Sequence, residues 1–393
     1  MRQNTWHAPV NGVFLGFLGA FALISLWKPQ QGFSQSENRY LQTRPEFSWE
    51  SLRDGSFGTA YEAYLSDQFP FREGWIGVGT GFRRLQGAGD VNGVYFGKDR
   101  YLMERFERED LEGEVLDRNL EAAAQLLAWA GETLGMDRTR VMLVPSAAQV
   151  LKDRLPFLAA PYDQSQITKR LGQMLAGRLG QEAADGLMVP AEEALAAHSR
   201  EPIYYRTDHH WTALGAYLGY EAWAESAGLA AWPREDFTVE TVSDSFLGTI
   251  YSKVNIPWPA DAIQAYLPAE GPAYTVYYDG AETPGGLYNY GALEGKDQYS
   301  FYMDGNHGLT RAVRKEAAPE AEGAGRRILL VKDSYAHAMA PFVMNHFEEL
   351  HMIDLRYYNG DIRAYIQEQG ITDLLVLYGI PQFAAERTAA KMR

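Results

Sequence analysis

The chain has 393 residues, of which 46% are hydrophobic and 22% charged, and this composition is typical of a folded protein rather than a disordered one. Its formal net charge is −15 and it has no large cluster of lysine and arginine, which argues against nucleic acid as a partner. Because the chain has no cysteine, disulfides, thiolate nucleophiles and cysteine-based metal sites are excluded.

The N-terminal region contains an uncharged apolar run from Val10 to Trp27. At about 1.5 Å per residue, a helix of this length spans roughly 27 Å, close to the hydrocarbon thickness of a thin bilayer. We therefore expect residues 1–35 to form a cytoplasmic stub, a signal-anchor helix and a linker, with the rest of the chain outside the cytoplasmic membrane. A cleaved signal peptide and a buried core helix are the alternatives, although no A-x-A cleavage site follows the run.

The region after the apolar run is predicted to form an extension of the main domain. Proline-broken polar sequence at 28–48 indicates a linker, and residues 49–85 show helical spacing with a break at Phe69-Pro70. The stretch 91–97 contains Asn-Gly between apolar residues, which predicts a hairpin. We assign residues 36–105 to an N-terminal extension packed on the main domain.

Residues 106–393 alternate between amphipathic helices and short buried strands. We predict helices at 116–134, 167–179, 192–197, 212–227, 335–346 and 361–369, and strands at 140–144, 186–190, 327–331, 351–355 and 373–378. The aromatic, glycine- and proline-rich sequence at about 230–325 predicts a β-rich insertion. This pattern is typical of an α/β fold with a doubly wound, mainly parallel sheet.

Ser334 stands where the strand 327–331 gives way to a helix. Ligands bind at the carboxyl ends of strands in open parallel sheets, and a serine at such a turn exposes its hydroxyl near helix amides that favour negative charge. A side chain in this position could instead simply cap the helix, through Asp333 or Ser334.

A second polar constellation is the string TDHHWT at 207–212. On an extended segment Asp208 and His210 point to the same side, so that the carboxylate can fix the imidazole tautomer and leave one nitrogen to take a serine proton. The alternatives are a structural polar turn and a metal site. Ligands for a metal would come from Asp208, His209, His210, Asp304, Asn306 and His307. We favour serine chemistry over a metal.

TDHHWT followed by a downstream strand that ends in Asp-Ser resembles the signature of the DHHW family of bacterial proteins. That family is related to the alginate O-acetylation proteins AlgJ and AlgX, which carry an SGNH hydrolase-like domain. The segments SENRYLQTRPEFS, YLSDQFPFREGW, NGVYFGKDRYL and YMDGNHG are similar as well, so the resemblance covers nearly the whole chain. An Asp-x-His pair precedes the nucleophilic serine in that group, and the matching positions are Asp208, His210 and Ser334.

The resemblance implies a cell-surface polysaccharide O-acetyltransferase with a Ser-His-Asp acyl-enzyme mechanism and no cofactor. It also implies a polysaccharide acceptor and a membrane-bound O-acyltransferase as the source of acetyl groups. A non-catalytic polysaccharide-binding or assembly subunit and a carbohydrate acetylesterase are the alternatives.

Two further groups of residues are candidates around this centre. For ligand contacts we consider Arg206, Tyr335, His337, Asn306 and Arg356. Ordinary SGNH enzymes take oxyanion donors from a glycine and an asparagine after later strands, but no Gly-x-Asn stands at the last strand here. Donors are therefore sought at Ser334, Asn359 and Gly360, and a missing donor would cost about 100-fold or more in rate.

Overall fold

A computed structural model describes residues 7–34, 39–269, 271–283, 286–316 and 324–392. The chain divides into two compact units. The first comprises Met1–Ala88 with Ser252–Pro257, and the second comprises Gly89–Tyr251 with Trp258–Arg393. The candidate catalytic residues all belong to the second unit.

The first unit is mainly helical. Its described elements are α1 (His7–Trp27), β1 (Phe33–Ser34), β2 (Arg39–Tyr40), α2 (Trp49–Arg53), α3 (Ser56–Asp67) and α4 (Arg72–Leu85), and β1 pairs antiparallel with β2. The apolar run predicted to be helical does form α1. The expected membrane-spanning helix is not supported, because no helix in the described residues is long and apolar enough to cross a bilayer.

The second unit begins with a small antiparallel sheet and continues into alternating helices and strands. Up to the TDHHWT string and the helix after it, the elements are β3 (Asp90–Val91), β4 (Val94–Phe96), β5 (Leu102–Glu104), α5 (Arg108–Leu111), α6 (Glu114–Leu134), β6 (Thr139–Val144), α7 (Ala147–Val150), α8 (Ser165–Leu179), α9 (Gln181–Leu187), α10 (Ala191–Ala197) and α11 (Ala213–Ser226). Asn92 and Gly93 both have positive φ, 53° and 73°, so the predicted hairpin forms between β3 and β4 with a two-residue turn.

The rest of the chain supplies most of the central sheet. Its elements are β7 (Phe237–Phe246), α12 (Thr249–Val254), β8 (Asp261–Pro268), β9 (Tyr274–Tyr278), β10 (Ala281–Thr283), β11 (Leu309–Arg314), β12 (Arg327–Lys332), α13 (Tyr335–Val343), β13 (Glu349–Ile353), α14 (Ile362–Glu368), β14 (Asp373–Gly379) and α15 (Ile380–Ala385).

Within the described residues, seven strands form the main sheet in the order β10-β9-β11-β13-β12-β14-β6. The four strands β13, β12, β14 and β6 run parallel, whereas β11, β9 and β10 extend the sheet in antiparallel pairs. The sheet is therefore mixed rather than mainly parallel, because three strands from the predicted insertion join it. The other two strands of that region, β7 and β8, form a separate ribbon.

The core lies on both faces of this sheet. Along β12, Ile328 and Leu330 pack on one face, while Leu329 and Val331 pack on the other. Burial on both faces explains why the parallel strands read as continuous apolar runs and could be predicted from the sequence. The strand expected at 186–190 is wrong, because α9 extends to Leu187 and only a single bridge joins the next residue to β6.

Candidate active site

Ser334 lies two residues beyond the end of β12, after Asp333, and is the N-cap residue of α13. Its hydroxyl makes no capping hydrogen bond. Asp333 takes that role, since its Oδ1 accepts the N–H of Tyr335 at 2.9 Å and its Oδ2 accepts the N–H of Gly379 at 2.8 Å. The interpretation of the Ser334 side chain as a helix cap is therefore wrong, and Asp333 ties this turn to the end of β14.

The Ser334 hydroxyl instead contacts His210, with 2.7 Å between Oγ and Nε2. On the other side of the ring, Nδ1 lies 2.6 Å from Oδ1 of Asp208. An ionised carboxylate only accepts hydrogen bonds, so Nδ1 must carry the proton and Nε2 is left to accept from the serine. The structure thus brings together three residues that lie up to 126 positions apart in the sequence (208 to 334).

The pairing of Asp208 with His210 arises from a bend rather than from the extended segment that we expected. Asp208 Oδ1 accepts the backbone N–H of His210 at 3.1 Å, the two-residue turn that short polar side chains favour. A bridge between Tyr204 and Trp211 closes the loop, and the Thr212 hydroxyl caps α11 by accepting from the N–H of Gly215 at 3.2 Å. The local turn, more than strand geometry, orients the pair.

Thr249, at the start of α12, holds the other oxygen of the Asp208 carboxylate. Its backbone N–H and its hydroxyl donate to Oδ2 at 2.8 and 3.0 Å. The same hydroxyl lies 2.9 Å from Nδ1 of His209. At Gly248 an added Cβ would collide with the Asp208 side chain, so this close approach requires glycine. The carboxylate is therefore fixed by four donors, two from His210 and two from Thr249.

Aromatic side chains hold the imidazole and the serine turn in place. The ring of Tyr299 stacks on His210 with 3.7 Å between centroids and 7° between planes, and its hydroxyl donates to the Ser334 carbonyl at 3.2 Å. Trp211 donates from Nε1 to the carbonyl of Tyr335 at 3.0 Å, while the Tyr335 hydroxyl donates to the carbonyl of His209. These contacts join the TDHHWT loop to the first turn of α13.

Burial and neighbouring groups set the protonation of the pair. Burial, and after it the charge of His209, lower the pKa of His210 to about 4, although Asp208 opposes both. Burial alone would raise the pKa of Asp208, but the two imidazoles and the hydrogen bonds from His210 and Thr249 outweigh it and hold the pKa below its usual range. At neutral pH a neutral imidazole therefore faces a charged carboxylate, which is the state that a general base needs.

A metal ion at this site would compete for donor atoms that already form hydrogen bonds. The candidate ligand atoms of Asp208, His209 and His210 lie within 4.8 Å of one another. Both nitrogens of His210 are nevertheless committed, and both oxygens of Asp208 accept hydrogen bonds. Of the other proposed ligands, Asp304 and His307 bond to each other at 3.0 Å and Asn306 accepts from Arg356. This donor set favours serine chemistry.

The predicted ligand contacts divide into buried and accessible residues. Tyr335 and His337 are buried at 3% and 1% exposure, and His337 lies against the Lys332 ammonium at 2.7 Å, so these two support the site from within. Arg356 forms a two-pronged ion pair with Asp354 and also donates to the exposed Asn306 at 2.9 Å. The last candidate, Arg206, has its Nε buried without a partner and its guanidinium 5.8 Å from the ring of Tyr101.

The predicted oxyanion donors are only partly brought to the serine. Asn359 and Gly360 are exposed, and Asn359 Oδ1 accepts from Lys391 at 2.9 Å. No hydrogen bond among the described residues connects either of them to the triad. The N–H groups of Tyr335 and Gly379 are taken by Asp333. The backbone N–H of Ser334 is therefore the remaining candidate for an oxyanion donor.

Sequence reasoning missed Thr249 and Tyr299. Both belong to the region 230–325, lie 41 and 89 positions from Asp208 and His210 respectively, and belong to no local motif that points to chemistry. The abundance of aromatic residues there was the available signal, and it does not single out one tyrosine.

The candidate centre lies within a segment of the chain that resembles a known family. A family model described as DHHW protein matches residues 187–353, which contain Asp208, His210 and Ser334, so the resemblance to that family is confirmed. No curated protein is significantly similar to the chain.

Solved structures share the fold at low identity. A DHHW family protein from Eubacterium siraeum is 23% identical with a TM-score of 0.62, over 77% of this chain and 95% of that one. PatB1 of Bacillus cereus, solved with a sulfonyl adduct, is 18% identical with a TM-score of 0.58, over 76% and 97%. The O-acetyltransferase domain of Pseudomonas putida AlgJ is 15% identical with a TM-score of 0.43, over 75% and 93%. The first two likenesses show a common mixed α/β fold.

Proposed function

We propose that this protein is a polysaccharide O-acetyltransferase that forms an acetyl-enzyme on Ser334. The observation that carries the proposal is the continuous hydrogen-bonded chain from Asp208 through His210 to the Ser334 hydroxyl, with distances of 2.6 and 2.7 Å. These three hydrogen-bonded residues lie at the carboxyl edge of the parallel strands, where such sheets bind ligands. The DHHW family match supports acetyl transfer as the reaction, through the resemblance to the O-acetylation proteins.

In the first half-reaction the Ser334 oxygen attacks the carbonyl carbon of an acetyl donor while its proton passes to His210 Nε2. The ionised Asp208 stabilises the resulting imidazolium. The tetrahedral intermediate collapses when the bond to the leaving group breaks, and the leaving group takes the proton from Nε2. Acetyl-Ser334 and a neutral imidazole remain. We expect the backbone N–H of Ser334 to stabilise the oxyanion.

In the second half-reaction a sugar hydroxyl attacks the acetyl-serine. His210 Nε2 accepts the proton of that hydroxyl and returns it to the serine oxygen as the ester bond breaks, so the free enzyme is regenerated. Water attacking in place of the sugar would make the protein an acetylesterase. The two activities share the first step and differ only in the acceptor.

The proposal extends to the setting of the reaction. We infer that a surface polysaccharide is the acceptor, that a membrane-bound O-acyltransferase supplies the acetyl groups, and that the reaction takes place outside the cytoplasm. These inferences follow from the family resemblance. Detection of acetylated polysaccharide in cells that carry the active protein, and its loss with the Ser334→Ala variant, would test them together.

The nucleophile is tested by turnover of p-nitrophenyl acetate. Replacing Ser334 by alanine removes the attacking oxygen and is expected to reduce kcat by about 1,000-fold or more. Ser245→Ala is the matched control, because the hydroxyl of this exposed serine of β7 bonds to Ser243 and Gln298 rather than to the triad, and its loss should leave turnover unchanged. Equal turnover by the wild type and Ser334→Ala would contradict the proposal.

Transfer is separated from hydrolysis by adding oligosaccharides to the same reaction. A transferase produces acetylated oligosaccharide faster than free acetate, whereas an esterase produces acetate alone. A non-catalytic binding subunit would release p-nitrophenol no faster than Ser334→Ala and yet retain oligosaccharide binding.

A further inference from the structure

Exposed apolar side chains are concentrated in the first unit. Of the 27 large hydrophobic side chains that are exposed among the described residues, 22 lie between Val10 and Leu85. Helix α4 contributes an ordered subset of them. We call this subset the apolar stripe, and it consists of Trp75, Val78, Phe82 and Leu85, with exposures from 43% to 88%.

The apolar stripe runs along one side of α4. Its members are spaced by three, four and three residues, which is the spacing that aligns side chains on one helix face. Three of the four are exposed by more than 60%. An ordered apolar face of this kind on a soluble surface is a mark of an interaction site.

The side of α4 away from the stripe packs within the unit through small residues. Thr80 is buried at 1% exposure, and an added Cβ at Gly77 would collide with the backbone of Asn255. At 100° per residue, Gly77 and Thr80 lie about 120° and 180° around the helix from the centre of the stripe.

One member of the stripe also packs within the unit. The ring of Trp75 contacts Phe17 and Phe21 of α1, with 6.0 and 5.8 Å between ring centroids. The other three members of the stripe face outward, with exposures from 62% to 88%.

Charge along α4 is opposite in sign to that of the whole chain. The helix carries Arg72, Arg83 and Arg84 against a single acid, Glu73, in a protein of net charge −15. By helical position Arg72 and Arg83 border the stripe. Tryptophan, phenylalanine and leucine on one face with arginine at its margin are typical of helices that lie in the interface of a bilayer.

We propose that the apolar stripe of α4 binds the surface of a membrane that contains anionic lipids, with the helix lying parallel to that surface. The stripe enters the boundary between headgroups and acyl chains, and the bordering arginines contact lipid phosphates. A second copy of the chain is a poorer occupant, because a symmetric contact through this face would bring like-charged arginines of both copies together. This surface is distinct from the proposed catalytic centre in the second unit.

The absence of cysteine allows a direct test with single spin labels on the full chain. Cysteine is introduced separately at Val78 on the stripe and at two exposed control positions, Arg84 on the far side of α4 and Phe157 in the second unit. Collision of each label with oxygen and with a water-soluble nickel chelate is measured with and without phosphatidylglycerol vesicles.

The expected result is that vesicles lower nickel collision several-fold and raise oxygen collision at Val78→Cys, with much smaller changes at both controls. Neutral phosphatidylcholine vesicles or added salt should weaken the effect, since both reduce attraction of the arginines. Unchanged nickel collision at Val78→Cys would overturn the proposal. So would label–label coupling that rises with protein concentration in the absence of vesicles, because that result assigns the stripe to a second copy.

Discussion

His210 has both ring nitrogens committed and one ring face covered. Nδ1 faces Asp208, Nε2 faces Ser334, and the plane of the imidazole lies on Tyr299. A ring held in this way has one tautomer and one orientation, and proton transfer from the serine therefore needs no rearrangement of the base. The cost of this arrangement is that the protonated imidazole is disfavoured by burial.

The pH dependence of turnover follows from that burial. In the proposed mechanism His210 acts as a base only when neutral, and its pKa is lowered to about 4. We expect kcat/KM for p-nitrophenyl acetate to stay near its plateau as the pH falls from 7 and to reach half its value near pH 4, whereas an ordinary histidine would give about 6.5. The profile is measured with the rate of Ser334→Ala subtracted. An acid limb centred near pH 6.5 would contradict the lowered pKa.

At the scale of elements, the region 230–325 supplies two contacts that complete the site. Thr249 from α12 fixes Asp208, and Tyr299 covers His210. A doubly wound sheet by itself would provide the serine turn and the TDHHWT loop without these supports.

Removing one of these contacts should impair catalysis without unfolding the protein. Thr249→Val keeps the shape and the backbone donor but deletes the hydroxyl that donates to the charged Asp208. A hydrogen bond to a charged group contributes roughly 1.5–3 kcal/mol, so we expect kcat to fall about 10-fold or more with little change in KM. Thr249→Ser retains the hydroxyl and should restore most of the rate. Equal losses in both variants would show that the methyl group matters rather than the hydrogen bond.

The elements that could be predicted from the sequence are those whose burial leaves a local pattern. The sequence shows directly the apolar runs of β12, β13 and β14 and the helical spacing of apolar residues in α6. The end of β12 in turn locates Ser334. The antiparallel β9, β10 and β11 have weaker patterns, and nothing local tells that they join the main sheet. Thr249 and Tyr299 reach the site only through tertiary packing, so no spacing rule finds them.

At the scale of the whole molecule, a buried group of charges lies behind the serine turn. Lys332 and Asp354 are each about 1% exposed and lie 3.2 Å apart, and Arg356 donates to both oxygens of the same carboxylate. Asp354 is thus the common partner of two cations at the carboxyl edge of β12 and β13. Buried charges of this kind depend on their partners, because removing one partner leaves the desolvation cost of the remaining charge uncompensated.

Asp354→Asn should therefore reduce the free energy of unfolding by about 3–5 kcal/mol, because it leaves Lys332 buried without its counter-charge. Urea unfolding measures the change. Asp361→Asn is the matched control. Asp361 caps α14 by accepting the N–H of Ala364, and asparagine caps equally well, so this variant should change stability by only a few tenths of a kcal/mol. Equal stability of the two variants would show that Lys332 and Arg356 do not depend on Asp354.

The most direct test of the catalytic role of Ser334 is to trap the covalent intermediate. The full chain is mixed with p-nitrophenyl acetate, quenched in acid within the first turnovers, and its mass and peptide map are recorded. We predict one added acetyl group on the peptide that contains Ser334, present in the wild type and absent from Ser334→Ala. Turnover without any acetylated protein, or an acetyl group on a different residue, would contradict acyl transfer through this serine.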